Sequence, residues 1–271
     1  MKKLRSRDYK AMARKRLIGR YGTVIGASFL TALIVMIPAM AAYMMFLMPV
    51  IGIRTGVYSP DALTGAGGAA VAVAVAFLAI VAVILLLIFV MGEYRIGLNI
   101  AREKPCSIKD LFFGFKRGSR PGRFVVSYIF LTVIGLAVTE LINFASDRAY
   151  YAGISVLFII AGIVLAYFIY YYVMFGFAFV CYIRIEEPET GIIAAFKESL
   201  KLMKKRRLRF LLISLSFIPW VIPIYMSLGI AVFWIAPYMM LTSILFYIDA
   251  RGELIKEDKE EEVITDEMSV L

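Results

Sequence analysis

Long apolar runs alternate with charged segments along the whole chain. An uncharged apolar stretch of about 20 residues is what a helix needs to cross the hydrocarbon core of a bilayer. The predicted fold class is therefore all-α, a polytopic membrane helical bundle of six transmembrane helices within residues 22–250. The predicted spans are residues 22–47, 68–91, 124–144, 152–183, 210–226 and 229–248.

Two of these apolar blocks have unusual lengths. Residues 152–183 would rise about 48 Å as a helix, so this span is expected to tilt, to kink near Gly176 or to emerge from the membrane. The last block, 210–248, contains three prolines and is predicted to form two helices joined by a tight turn near Ser227. Residues 70–77 alternate as a strand would, but a lone strand in lipid leaves its backbone unsatisfied, which favours a helix.

Basic residues are dense in every second connecting segment. Nine precede the first predicted span and eight lie in each of residues 95–123 and 184–209, whereas Arg54 and Arg148 stand alone in the other two long loops. This alternation is the positive-inside pattern. It predicts a multi-pass protein of the cytoplasmic membrane with its N-terminus and C-terminus in the cytoplasm. The alternative for the first span is a signal peptide cleaved near residues 38–42. The basic region before this span is about 20 residues long, which favours an uncleaved helix.

The dense basic segments also have amphipathic patterns. Residues 1–21 predict a basic amphipathic cytoplasmic helix, Ser107 is predicted to cap a second helix, and a third starts near Pro188. Such helices either lie in the membrane interface against anionic headgroups or pack under the bundle. The candidate contacts with anionic lipid are Lys197, Lys201, Lys204, Lys205, Arg206, Arg207 and Arg209.

Polar residues near membrane depth are candidates for function, because burying charge in lipid is costly. Glu140 and Asn143 lie three residues apart on one face of the third predicted span and form a candidate intramembrane polar site. A second candidate cluster, at the cytoplasmic end, comprises Glu93, Arg95, Asn99 and Asp249. The alternatives are mutual pairing and snorkelling to the interface. Gly22 and Gly26 have the spacing of a close helix contact.

Composition narrows the possible chemistry. Hydrophobic residues make up 62% of the chain and the mean hydropathy is +0.83, values typical of a membrane protein. The sequence has no histidine and two cysteines, so we expect no zinc site, no histidine-based catalysis and no cofactor. Residues 251–271 carry eight acidic and three basic residues, which predicts a disordered acidic cytoplasmic tail that is solvated or docks on the basic face.

Several segments resemble a known family. "GEYRIGLNIAREKP", "LFFGFKRG", "AAFKESLKLMKKRRLRFLLISLSFIPW" and "LGIAVFWIAPYMMLTSILFYID" are similar to the bacterial integral-membrane family called domain of unknown function 975. The resemblance covers nearly the whole chain apart from the acidic tail. That family usually has glycine at the position of Pro219. The resemblance implies a multi-span membrane protein, and it brings no catalytic residues.

These observations lead to two functional hypotheses. The first is a non-enzymatic accessory, scaffold or lipid-contacting component of the membrane, supported by the basic amphipathic segments. The second is a small membrane transporter with a polar site near Glu140. The expected partners are anionic lipid headgroups and either a membrane-protein partner or a second copy of the chain. We expect no nucleic-acid partner, because a bilayer face competes for the basic residues.

Overall fold

A computed structural model describes residues 4–59 and 65–254, and all regular structure in these residues is helical. The predicted tail therefore lies outside the described residues from position 255 onward. The α-helices are α1 (Ser6–Leu17), α2 (Tyr21–Arg54), α3 (Gly65–Ala101), α4 (Pro121–Tyr151), α5 (Val156–Met174), α6 (Val180–Glu186), α7 (Ile192–Leu202), α8 (Arg207–Leu215), α9 (Val221–Met226) and α10 (Val232–Arg251). Short 3-10 segments cover Ile108–Phe115, Phe175–Phe177 and Ile218–Trp220.

Within the described residues, six helical stretches are long and apolar enough to cross a membrane. They are Tyr21–Arg54, Gly67–Ala101, Pro121–Tyr151, Val156–Glu186, Arg207–Met226 and Val232–Arg251. The prediction of an all-α fold with six apolar spans is thus confirmed, and these helices fit a multi-pass membrane protein. Several of them run past the predicted ends, because a helix continues through charged residues once its backbone is hydrogen-bonded.

The fourth apolar stretch is interrupted near Gly176. α5 ends at Met174, one 3-10 turn follows over Phe175–Phe177, and α6 begins at Val180. The fifth and sixth stretches meet in a turn at which Leu228 has φ of 51° and Gly229 has φ of 91°. Glycine accepts this left-handed backbone at little cost, which lets two helices reverse over a few residues.

The buried core lies at one end of the bundle. The almost entirely buried residues include Tyr9 and Leu17 of α1, Ile96, Leu98 and Ile100 of α3, and Ile244 to Ile248 of α10, whereas α5 has no buried residue. We call this end, with α1, α6, α7, the 3-10 segment 108–115 and the carboxyl ends of α3 and α10, the basic end. Water drives apolar side chains together and lipid does not, so a core confined to one end fits a multi-pass membrane protein.

α1 packs against the bundle. Its stripe of Tyr9, Ala13 and Leu17 is buried, with the most extensive contacts on α10. The Lys10 Nζ donates a hydrogen bond to the carbonyl oxygen of Ser216 at 2.9 Å and lies 4.1 Å from the centre of the Phe217 ring. The apolar stripe of this helix is therefore covered by protein, as the packing alternative expected.

Gly22 and Gly26, whose spacing predicted a close contact between helices, do not form one. A side chain added at Gly22 would meet no atom within 4 Å, and one at Gly26 would reach Ile108 Cδ1 at an ordinary 3.5 Å. Close approaches that involve the backbone of another segment are found instead at Gly92 and Gly114, between α3 and the 3-10 segment 108–115. The spacing rule did not mark Gly92, which has isoleucine four residues away on each side. Gly114 lies four residues before Gly118, but in a connecting segment and not in a predicted span.

Candidate functional site

The basic run of residues 197–209 is divided by the fold into an exposed set and a held set. Lys197, Lys201, Lys204 and Lys205 are exposed, and within the described residues none of the four pairs with a carboxylate. The spacing of 197, 201, 204 and 205 puts them on one side of α7 and its end. Ala195 and Ser199 are buried on the opposite side.

The three arginines of the run turn back onto the protein. The Arg206 Nη1 donates to Asp249 Oδ2 at 3.0 Å, and the Arg207 guanidinium lies 5.6 Å from the centre of the Tyr172 ring. Arg209 lies beside the hydroxyl of Tyr9, and its positive charge partly offsets the rise in the pKa of that hydroxyl. These three part-buried arginines contact the bundle, whereas the four exposed lysines form no ion pair within the described residues.

Ser199 anchors α7 to the break between α5 and α6. Its hydroxyl donates to the carbonyl of Gly176 at 2.8 Å and accepts from the N–H of Phe179 at 3.2 Å. The break in the helix leaves these two backbone groups without their usual partners, and all three residues are buried. The Ser199 hydroxyl is therefore one of the contacts that position α7 and its lysines, together with the Phe196 ring, which packs against Phe177.

Within the described residues, no side-chain hydrogen bond or ion pair joins any two members of the candidate cluster Glu93, Arg95, Asn99 and Asp249. Glu93 lies beside the hydroxyls of Thr31 and Ser28 on α2, whereas the guanidinium of Arg95 lies 5.0 Å from the centre of the Phe113 ring. Asn99 is half-buried, and its backbone carbonyl oxygen accepts hydrogen bonds from the backbone N–H groups of Arg102 and Lys104. Glu93 and Arg95 lie two residues apart on α3 and point in different directions, so their side chains reach different elements.

Asp249 instead joins α10 to α1 and to the start of α8. Its carboxylate accepts from the hydroxyl of Tyr9 at 2.7 Å and from Arg206 at 3.0 Å, and its side chain is 13% exposed. Burial, and secondly the Asp249 carboxylate, raise the pKa of Tyr9, so this hydroxyl stays protonated as a donor. The sequence identified Asp249 as a polar residue at a helix end but not its partners.

An ion network that the sequence interpretation missed joins the ends of α3, α6 and α10. Arg102 pairs with Glu186 and with Glu253, the latter at 2.8 Å, and Arg251 pairs with Glu186 at 3.0 Å and with Glu187 at 2.9 Å. The sequence did contain a signal for this network. Residues of opposite charge directly follow three apolar stretches that are predicted to end on the same side of the membrane. The network links three chain segments far apart in sequence.

We expect the link between Glu187 and Arg251 to make stability depend on pH. The hydrogen bond from Arg251 lowers the pKa of Glu187, against a smaller opposing effect of burial. Its contribution is therefore present above the ordinary value of 4.5 and is lost as the pH falls through the lower folded pKa. Glu187→Gln should reduce the melting temperature at pH 7, and wild type and variant should converge in acid.

This is measured as thermal unfolding in detergent between pH 7 and pH 3. Glu198→Gln is the matched control, because Glu198 forms no ion pair within the described residues. A difference between wild type and Glu187→Gln that stays constant down to pH 3 would show that the carboxylate charge is not the cause.

Glu140 and Asn143 lie on an exposed face of α4. A cavity of about 480 Å³ between α4 and α5 is lined by apolar and small residues, including Leu141, Ala145 and Phe158, and a second of about 340 Å³ lies between α4, the α5–α6 junction and α8. Glu140 and Asn143 line neither cavity. The geometry therefore gives the hypothesis of a transport site at Glu140 no support.

Comparison with known proteins identifies the family and nothing more specific. Neither a search of curated proteins nor a search of solved structures found a match. The family model described as "Protein of unknown function (DUF975)" matches residues 1–253. This match includes all six apolar stretches, the basic run and the ion network. The chain belongs to the DUF975 family.

Proposed function

We propose that this protein is a non-enzymatic component of the cytoplasmic membrane that gathers anionic lipid headgroups against its basic end. In this proposal both termini and the basic end face the cytoplasm, as the alternation of basic segments predicts. The observation that carries it is the division of the basic run: four lysines are exposed and pair with no carboxylate in the described part of the chain, while the neighbouring arginines contact the bundle.

The surroundings of the lysines support a lipid surface as the partner. Ile193 lies one turn before Lys197 on α7 and is 72% exposed, and Leu208 at the start of α8 is 57% exposed. Exposed apolar side chains beside lysines are typical of an element at the boundary between headgroups and acyl chains. A partner in water would leave these apolar groups without a matching environment.

A second surface at the basic end has the same character. The 3-10 segment 108–115 exposes Phe112 and Phe115, whose rings pack 5.7 Å from the ring of Phe89 on α3. Lys109 on this segment and Lys116 directly after it are exposed. Aromatic rings with adjacent positive charge favour the membrane interface over either water or hydrocarbon. Two separate segments thus support one kind of partner.

The test measures lipid selectivity of the full chain in proteoliposomes with spin-labelled phosphatidylglycerol and phosphatidylcholine. We expect Lys201→Gln combined with Lys205→Gln to reduce selectivity for the anionic lipid. A lysine near an anionic surface contributes about 1 kcal/mol, which is roughly a fivefold change in association for each charge. The selectivity should also fall with added salt, because counterions screen exposed charges.

Arg54→Gln combined with Arg148→Gln is the matched control. It also removes two exposed positive charges, from the last turns of α2 and α4 at the opposite end of the bundle. We expect it to change the selectivity much less than the lysine pair does. Equal losses in the two double variants would refute the proposal, because net charge alone would then set the selectivity.

A further inference from the structure

Three arginines from two helices converge on one short segment at the basic end. Arg123 in the first turn of α4 donates from Nη1 to the carbonyl oxygens of Pro188 and Glu189, at 3.1 and 3.0 Å. Arg184 on α6 donates from Nη1 to the carbonyl of Thr190. Arg120, directly before α4, pairs with the carboxylate of Glu189 at 2.6 Å. All three guanidinium groups therefore meet at residues 188–190.

Arg184 is the unusual member of this arginine cluster. It is 2% exposed, its Nε has no hydrogen-bond acceptor, and within the described residues no carboxylate pairs with it. The charges that act on it are those of Arg123 and Arg120, which repel it. A buried cation without a counter-charge is costly, so this geometry favours an anion that supplies one.

The amino end of α4 adds to the positive potential. The first turn of a helix has backbone N–H groups without intrahelical partners and carries a partial positive charge, which together favour a bound anion. Gly122 lies in that turn, and a side chain placed there would meet no atom within 4 Å, so the backbone is open to approach. The only acid paired with the cluster within the described residues is Glu189, whose side chain is 74% exposed.

We propose that Arg120, Arg123 and Arg184, with the first turn of α4, form a binding site for a phosphate group. Guanidinium groups bind phosphate oxygens through paired, charge-assisted hydrogen bonds, and the free Nε of Arg184 is one such donor. The group belongs either to free phosphate or to a phospholipid headgroup. The site uses none of the four exposed lysines, so this proposal and the lipid-gathering proposal can fail separately.

The test uses the full chain, purified in detergent without phospholipid. Its melting temperature is measured in sodium phosphate and in sodium chloride at equal ionic strength, and then in nanodiscs of phosphatidylcholine with and without phosphatidic acid. We expect phosphate or phosphatidic acid to raise the melting temperature, because a ligand that binds only the folded state stabilises it. Arg184→Gln should weaken this response at least about tenfold in ligand concentration.

Arg117→Gln is the matched control, since Arg117 is exposed and lies three residues before Arg120. It should keep the response of the wild type. If Arg184→Gln does not fold, Arg123→Lys replaces it, because lysine keeps the charge but loses the paired donors. A response to phosphate in detergent assigns the site to free phosphate as well, and a response to phosphatidic acid alone assigns it to a headgroup. No response to either probe, or equal losses in Arg117→Gln and the cluster variant, would overturn the proposal.

Discussion

Replacing Gly92 with alanine is expected to detach the 3-10 segment 108–115 from α3 and to destabilise the basic end. A side chain at this position would lie 2.0 Å from the carbonyl oxygen of Leu111 and 2.7 Å from its Cα. Both are backbone atoms, which cannot rotate away as a side chain would. Gly114 faces Ile88 in the same contact, with an added side chain at 2.6 Å from Ile88 Cγ2. The two backbones are therefore in close contact along one helical turn.

Gly92→Ala is expected to lower the free energy of unfolding by about 3 kcal/mol or more. This is measured by thermal or denaturant-induced unfolding in detergent. It should appear although alanine by itself favours a helix over glycine by roughly 1 kcal/mol. Gly22→Ala is the control, because Gly22 lies in a helix of similar length and faces open space. That variant should be as stable as wild type or slightly more stable. A stable Gly92→Ala protein would mean that the segment does not dock as closely as described.

The second large effect is expected for Ser199→Ala. This change leaves the buried carbonyl of Gly176 and the buried N–H of Phe179 without the hydroxyl that serves both. Each buried group that loses its partner costs about 1 to 3 kcal/mol, so the expected loss of unfolding free energy is about 3 kcal/mol. The break between α5 and α6 should then loosen, and α7 with its lysines should become more accessible to proteolysis.

Ser243→Ala provides the comparison for this prediction. Its hydroxyl bonds to the carbonyl of Met239 within α10 at 3.1 Å, and that carbonyl lies in an intact helix. Removing it should change stability by no more than about 0.5 kcal/mol. Similar small effects for both serine variants would show that water or a rearranged backbone replaces the Ser199 hydroxyl at the break.

The basic run illustrates how far sequence reasoning reaches. Its charge was visible, and so was its helical spacing, but the seven basic residues were taken as one surface. In the fold α7 ends before Arg206, and α8 starts in a new direction, so the three arginines reach Asp249, Tyr172 and Tyr9. A periodic pattern describes one helix at a time, and it does not contain the angle between two helices.

The polar residues near the helix ends also show that sequence patterns do not predict contacts between helices. Hydropathy places Glu93, Arg95, Asn99 and Asp249 near the ends of apolar stretches and predicts a similar depth for them in a membrane. Whether they touch depends on which neighbour each helix face meets. The network of Arg102, Glu186 and Arg251 forms at the same end of the bundle, where three helix ends come together. No local pattern contains that information.

The sequence by itself determined the helical class and the six apolar stretches, because a bilayer accepts few backbone structures and demands a fixed apolar length. The order of dense and sparse basic segments likewise predicts an orientation without any knowledge of contacts. Only the tertiary structure decided that the buried core lies at the basic end, that four lysines stay exposed there, and that Arg184 is buried among like charges. These features depend on contacts between residues distant in the chain, which packing sets and local periodicity does not encode.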